Sequence, residues 1–321
     1  HSGSINSLDY SLNGMYLASG SEDDPIKIWA IDTSVLESCS RLRQRESNSS
    51  YKCEKIVSGY KDCICSVSFS PDSKLLACGA RYERDVLIYE TETWKIVKML
   101  ACVGHSDIFA RFSPDGKYLI NMHYHGTINI WLVSSWNIAH EIDSCYGHVA
   151  FSPDGKYLAM SEYRHLNDYN IVLLCMGTWE ISTLRKCKYV DCLTFSSDSK
   201  HVAIVPWHKS ISKNIYIMDI DRTNESNESA VVVRKSKGGI KPDARIKELL
   251  FSSNDKYLAR FSNNRVKIFT MCKWSDRNNL HFSDNLRSIV FYIMCMFYER
   301  QFDMPLEMLF EILEYVWLLT K

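Results

Sequence analysis

Short apolar stretches separated by polar turns run along most of the 321 residues, and within each stretch hydrophobic and polar positions alternate in steps of two. That period predicts β-strands with a buried face. The stretches are also ordered at longer range. One signature recurs six times: a small apolar run, an aromatic residue followed by serine, a turn of Pro-Asp-Gly type, then a basic or polar residue before an apolar pair. The copies cover residues 7–21, 66–80, 109–123, 148–162, 192–206 and 248–262. An alternating strand trails each of them: IKIW at 26, VLIY at 86, INIW at 128, IVLL at 171, IYIM at 215 and VKIF at 266.

The anchors Tyr10, Phe69, Phe112, Phe151, Phe195 and Phe251 are separated by 59, 43, 39, 44 and 56 residues. The three middle spacings match a sheet module of about 40–45 residues. The two long ones hold polar inserts at 39–51 and 221–244, which predict surface loops. Pro-Asp-Gly supplies the dihedrals of the first turn, and the run from Ser19-Gly20-Ser21 to Pro25 predicts the second. A single four-stranded sheet cannot bury both its faces, so modules of this kind stack side by side around a ring.

These residues resemble the WD-repeat family across positions 1–282. The resemblance implies an all-β fold, a WD-type β-propeller with six blades visible here. Seven blades are common in that family, so a seventh blade outside this sequence, a six-bladed ring and an open ring all remain compatible. Starting at His1, where the family has a Gly-His pair, predicts a start inside a repeat. The family's structural His–Ser–Asp–Trp network falls on His1, Ser19, Asp23 and Trp29, and later copies keep His105, beside Gly104, and Trp131. Elsewhere Tyr60 replaces the His, Asn121 the Ser and His125 the turn Asp. The Trp position reads Trp29, Tyr89, Trp131, Leu174, Met218 and Phe269, so polar partners are expected to be lost while bulk is kept. Magnitudes favour that order: a net hydrogen bond contributes about 0.5–1.5 kcal/mol, and emptying a large core site costs about 2–5 kcal/mol.

After position 282 the period changes to steps of three and four. Asp284 is placed as an N-cap ahead of Leu286, Ile289, Val290, Ile293, Met294 and Phe297. A second helix is predicted from Pro305, with Leu306, Leu309, Phe310, Leu313 and Trp317 as its apolar stripe. Residues 283–321 are therefore read as a C-terminal α-helical hairpin. Its segment MPLEMLFEILEYV, residues 304–316, resembles the opening helix of an F-box and the end of a SOCS box, with Met304 in place of the usual Leu. That likeness implies docking of a ubiquitin-ligase adaptor through Pro305, Leu306, Leu309, Phe310, Leu313 and Trp317. The plainer expectation is a hairpin that packs its stripe on the sheets or on another chain.

Composition narrows the function. With 46% hydrophobic residues the chain can bury a large core, and a formal net charge of zero gives no global field for nucleic acid or an anionic membrane. The basic stretches 41–45 and 234–237 lie in or beside the polar inserts, among acidic neighbours. The longest apolar run, 289–298, is far short of the roughly 20 residues that span a bilayer. Twelve cysteines with no C-x-x-C pair, several at strand positions, point to a reduced intracellular protein, cytoplasmic or nuclear. His123 and His125 would share a strand face, yet no further ligand at zinc spacing joins them. There is no Gly-x-Ser-x-Gly elbow, Walker loop or dinucleotide fingerprint. Neither an enzyme nor a cofactor is expected. The expected function is a scaffold that binds proteins or peptides on a propeller face. Its specific form would be the substrate receptor of a cullin-type ubiquitin ligase; the alternative is an RNA- or chromatin-associated assembly factor.

Overall fold

The computed structural model describes residues 1–23, 26–30, 53–57, 62–81, 85–101, 108–123, 126–143, 145–165, 168–188, 190–206, 215–220, 231–233, 246–252, 255, 257–262 and 265–270. The predicted hairpin at 283–321 and the boundary at 282 lie outside them. Apart from a 3₁₀ position at Ile220, all regular structure among the described residues is β. Contacts divide the chain into two compact units, His1–Cys145 and Tyr146–Lys321.

The first unit holds three four-stranded sheets. They are β1 Ile5–Tyr10, β2 Tyr16–Ser21, β3 Ile26–Ala30 and β4 Cys53–Val57; β5 Ile64–Phe69, β6 Leu75–Ala80, β7 Asp85–Glu90 and β8 Ile96–Ala101; and β9 Ile108–Phe112, β10 Tyr118–His123, β11 Ile128–Leu132 and β12 Asn137–Ile142. The second unit carries β13 Cys145–Phe151, whose first residue belongs to the first unit, with β14 Tyr157–His165, β15 Asp168–Cys175 and β16 Ile181–Lys188. Next come β17 Val190–Phe195, β18 His201–Pro206, β19 Ile215–Asp219 and β20 Val231–Val233, then the three strands β21 Ile246–Phe251, β22 Tyr257–Ser262 and β23 Arg265–Thr270. Every sheet is an antiparallel meander in chain order.

Why the sheets need one another is clearest in β7. Leu87 and Tyr89 point into a core built with Ala18, Ile26, Ile28 and Val57 of the first sheet. Val86 and Ile88 point the other way, into a core shared with Ala110, Phe112, Leu119 and Trp131 of the third. The run VLIY is thus buried on both faces, as a strand between two packed sheets must be. In the second unit, Leu193, Phe195, Val202 and Ile204 fill the same role against Ala150, Ala159, Ile171 and Leu173. On their other face Cys192, Ala203 and Val205 meet Leu249, Phe251 and Leu258.

Register places the predicted Trp positions on one site. Trp29, Tyr89, Trp131, Leu174, Met218 and Phe269 lie opposite Leu17, Leu76, Leu119, Leu158, Val202 and Leu258 in turn. Two expectations need correction. Ser19, Gly20 and Ser21 finish β2 instead of forming the second turn, which begins at Glu22. The insert 221–244 is not all loop, because Val231–Val233 pair with β19 as the fourth strand. Three consecutive valines have the branched side chains that a pleated edge favours.

Candidate interaction surface

In the first sheet, His1, Ser19, Asp23 and Trp29 are joined. The Nδ1 of His1 lies 2.6 Å from Asp23 Oδ1, and its Nε2 lies 2.7 Å from Ser19 Oγ. Trp29 donates from Nε1 to the same hydroxyl at 2.9 Å. A carboxylate at Nδ1 holds the imidazole proton there, which leaves Nε2 to accept from Ser19. Burial works to raise the Asp23 carboxyl, but hydrogen bonds from the Ser2 amide and the Ser21 hydroxyl outweigh it and hold the group below the usual range. The order Ser–His–Asp is that of a hydrolase triad. Ser19, however, is 1% exposed and its oxygen receives the indole N–H, so no substrate carbon can reach it. The network fastens the first residue to the second and third strands.

The other copies show how the network drifts. In the third sheet Trp131 Nε1 donates to Asn121 Oδ1, so the Asn that replaces Ser keeps the hydrogen bond. The expected loss of the polar partner at Trp131 is therefore corrected: an amide oxygen on a longer side chain accepts as a hydroxyl does. In the second sheet Cys78 stands at the Ser position and Tyr89 at the Trp position. Tyr89 Oη is buried with no hydrogen-bond partner among the described residues. Burial raises both its phenol and the Cys78 thiol well above their ordinary values. Tyr89→Phe should accordingly raise stability by about 1 kcal/mol, since it removes an unsatisfied buried hydroxyl and keeps the ring. Urea unfolding measures it; a loss of stability would show that the hydroxyl has a partner.

Polar side chains on the first strands also serve the neighbouring sheet. Ser7 Oγ accepts from the Val67 amide at 3.0 Å, and Asp9 Oδ2 accepts from the Phe69 amide. One sheet on, Ser66 Oγ accepts from Ala110 N at 2.8 Å and Ser68 Oγ from Phe112 N at 3.3 Å. These bonds cap amides on the open edges of β5 and β9, groups that would otherwise need water or another strand. The equivalent positions on β9 are Phe109 and Arg111, and neither can accept. Arg111 is exposed, with its guanidinium 5.9 Å from the Phe109 ring centre. Burial pushes the Asp9 carboxyl up to about 6, against the Phe69 N–H and the positive charge of Arg111.

The turns add a second set of ties. In six copies the third residue after the anchor serine is left-handed: Gly14, Ser73, Gly116, Gly155, Ser199 and Asp255, with φ from 54° to 78°. An L-residue there costs about 1–2 kcal/mol, and each non-glycine offsets it with a bond to the preceding sheet's turn. Ser73 Oγ accepts from Asn13 N and Ser199 Oγ from Asp154 N, both at 3.0 Å. Asp255 takes the Ser197 amide and hydroxyl, each at 2.7 Å. Three tryptophans missed by the sequence reading are also left-handed, Trp94, Trp136 and Trp179, each between the third and fourth strands of its sheet. Trp94 meets Tyr16 of the preceding sheet edge-on at 5.2 Å. Their signal was legible, since each follows its aromatic anchor at a similar distance, at 69, 112 and 151.

His105 and His125 lie outside the described residues, as do Pro305, Leu306, Leu309, Phe310, Leu313 and Trp317. Among the described residues no group of three His, Cys, Asp or Glu could hold a metal, and no helix is long and apolar enough to cross a membrane.

Residues 1–30 and 51–90 match the family described as WD domain, G-beta repeat. Over 139 residues the chain is 26% identical to Protein hir1 of Schizosaccharomyces pombe, covering 43% of this chain and 15% of that protein. Over 96 residues it is 32% identical to Protein HIRA of Dictyostelium discoideum, covering 30% of this chain and 8% of that protein. The chain thus spans less than a sixth of the length of the curated relatives it matches. Among solved structures, a chain of Kuenenia stuttgartiensis Hydrazine Synthase aligns with a TM-score of 0.63 at 15% identity, covering 84% of this chain and 77% of that one. At that identity the likeness shows a shared fold alone. The F-box or SOCS-box resemblance of residues 304–316 gains no support from these relatives.

Proposed function

We propose that the sheets are blades of a WD-type β-propeller and that the chain is a protein-binding scaffold in a chromatin-associated assembly, acting in the nucleus and without chemistry of its own. The observation that carries this is the likeness of its repeats to Hir1 and HIRA, which favours the chromatin reading over the ligase receptor. Two features of the structure support a binding role. The Ser–His–Asp chain is buried and saturated, and the polar groups of the first strands cap backbone amides, which leaves a rigid support for exposed groups. Rigidity lowers the ordering cost of binding. A neutral net charge favours protein contacts over contacts with phosphate.

The test expresses the tagged chain in cells, cross-links it, and compares its recovery from chromatin with its capture by purified ubiquitin-ligase adaptors. Recovery from chromatin with histone-associated proteins, and no adaptor capture, is expected. Adaptor capture abolished by Leu309→Asp, with no chromatin recovery, would replace this function with the ligase receptor.

A further inference from the structure

The fourth strands of the first unit differ in what they show to solvent. In β12 one large apolar residue is exposed, Ile138, among Asn137, His140 and Glu141, and in β4 one, Ile56. In β8, with sequence IVKMLA, three are exposed: Ile96 at 42%, Val97 at 50% and Met99 at 56%. Ala101 is exposed beside them, so Val97, Met99 and Ala101 form an apolar row at every second residue. That row is the side-chain pattern by which one strand meets a neighbour. β8 is also an edge: it pairs with β7 and with no other described strand, so alternate backbone N–H and C=O groups face outward. Among the described residues of the first unit, the first strands β1, β5 and β9 carry the main contacts between sheets, and no described strand covers the outward side of β8.

We infer that β8 is a docking edge for an extended peptide with alternating apolar and acidic residues, added antiparallel as a fifth strand of the second sheet. Charge selects this occupant. The segment from Lys95 to Ala101 holds Lys95 and Lys98 and no acidic residue. Lysines opposite carboxylates stabilise a cross-strand pair, and like charges opposite one another destabilise it. A second copy of the chain would set lysines against lysines, so self-pairing is disfavoured, while Val and Glu in alternation would meet Met99 and Val97 with one face and the lysines with the other charge. Backbone bonds to the edge give the affinity and the row of side chains gives the choice of partner. This docking edge is distinct from the chromatin role proposed above and does not depend on it.

The test uses the full chain and two fluorescein-labelled probes, acetyl-Val-Glu-Val-Glu-Val-Glu-Val-amide and its counterpart with Lys in place of Glu, read by anisotropy. Saturable binding of the acidic probe is expected, weaker by about tenfold for the lysine probe and by about tenfold for Met99→Lys, because cross-strand pairs and edge contacts both contribute. Ile138→Lys, on β12, should leave binding unchanged. Hydrogen exchange should slow at β8 amides when the acidic probe is bound. Thermal unfolding of Met99→Lys at the wild-type midpoint verifies its fold; Val97→Lys serves as a second variant with the same expected loss. Any one of three results overturns the inference: no binding of the acidic probe, binding by both Lys variants as tight as by the wild type, or concentration-dependent dimerisation that either variant abolishes.

Discussion

Gly20→Ala is expected to lower the unfolding midpoint by roughly 4–5 °C, the equivalent of about 3 kcal/mol for a chain of this size. The cause is a close approach between sheets. Gly20 sits in β2, and a Cβ there would overlap Ile64 Cγ2 while standing 3.0 Å from Ile64 Cβ and 3.4 Å from Val67 Cγ1. Ile64 is wholly buried in the core between the first and second sheets and has nowhere to move. Overpacking of this kind forces rotamers and backbone apart, and its usual range is about 1–3 kcal/mol. The top of that range applies because the colliding atom is a branched methyl at the root of its side chain. A double-mutant cycle identifies the mechanism. Ile64→Ala alone empties a core site and costs about 2–5 kcal/mol. In the Gly20→Ala background it also removes the overlapping methyl, so the pair should be less destabilised than the sum by about 1–2 kcal/mol. Differential scanning calorimetry of the four proteins decides it, and additive effects would show that the sheets relax apart at no cost.

The same glycine shows where reading the sequence stopped. Ser-Gly-Ser has turn composition, so residues 19–21 read as a turn; the structure uses Gly20 inside a strand because Ile64, 44 positions later, occupies the space a side chain would take. What the sequence displayed was everything with a local period: the six anchors, the strands that follow them, and the equivalence of Trp29, Tyr89 and Trp131, which register reproduces. What it hid was contact between copies. The use of Ser7, Ser66 and Ser68 as caps depends on amides 44 or 60 positions away, which no local pattern displays. Asn121 looked like decay of the Ser position, whereas its oxygen reaches the Trp131 indole. Ser73, Ser199 and Asp255 stand where other copies have Gly, and their side chains tie adjacent turns. Asn121 finds its partner within its own sheet, whereas the other side chains acquire their reason only once two modules are side by side.

Asp9 gives the second large effect. At pH 7.5, Asp9→Asn should stabilise the protein by about 2 kcal/mol, with no difference from wild type near pH 4. Burial raises the folded carboxyl to about 6, from 3.8. The folded state therefore holds a proton that the unfolded chain has released between those values, and stability falls as pH rises through that window. The full shift corresponds to about 3 kcal/mol, and partial access of solvent to Asp9 brings the expectation down to about 2. Asparagine keeps an oxygen for the Phe69 amide and has no proton to lose, so the slope between pH 4 and 6 should disappear with the charge. Asp23, Asp115, Asp154 and Asp198 act in the opposite sense. For each, burial is outweighed by hydrogen bonds that lower the carboxyl below 3.8, so their contribution is present above that value and lost as pH falls below it. Both proteins share those four groups, and the difference between their stability–pH curves isolates Asp9. Parallel curves from pH 4 to 8 would mean that Asp9 is ionised in the fold without penalty, held by Arg111 across the Ser68 strand more firmly than burial opposes it.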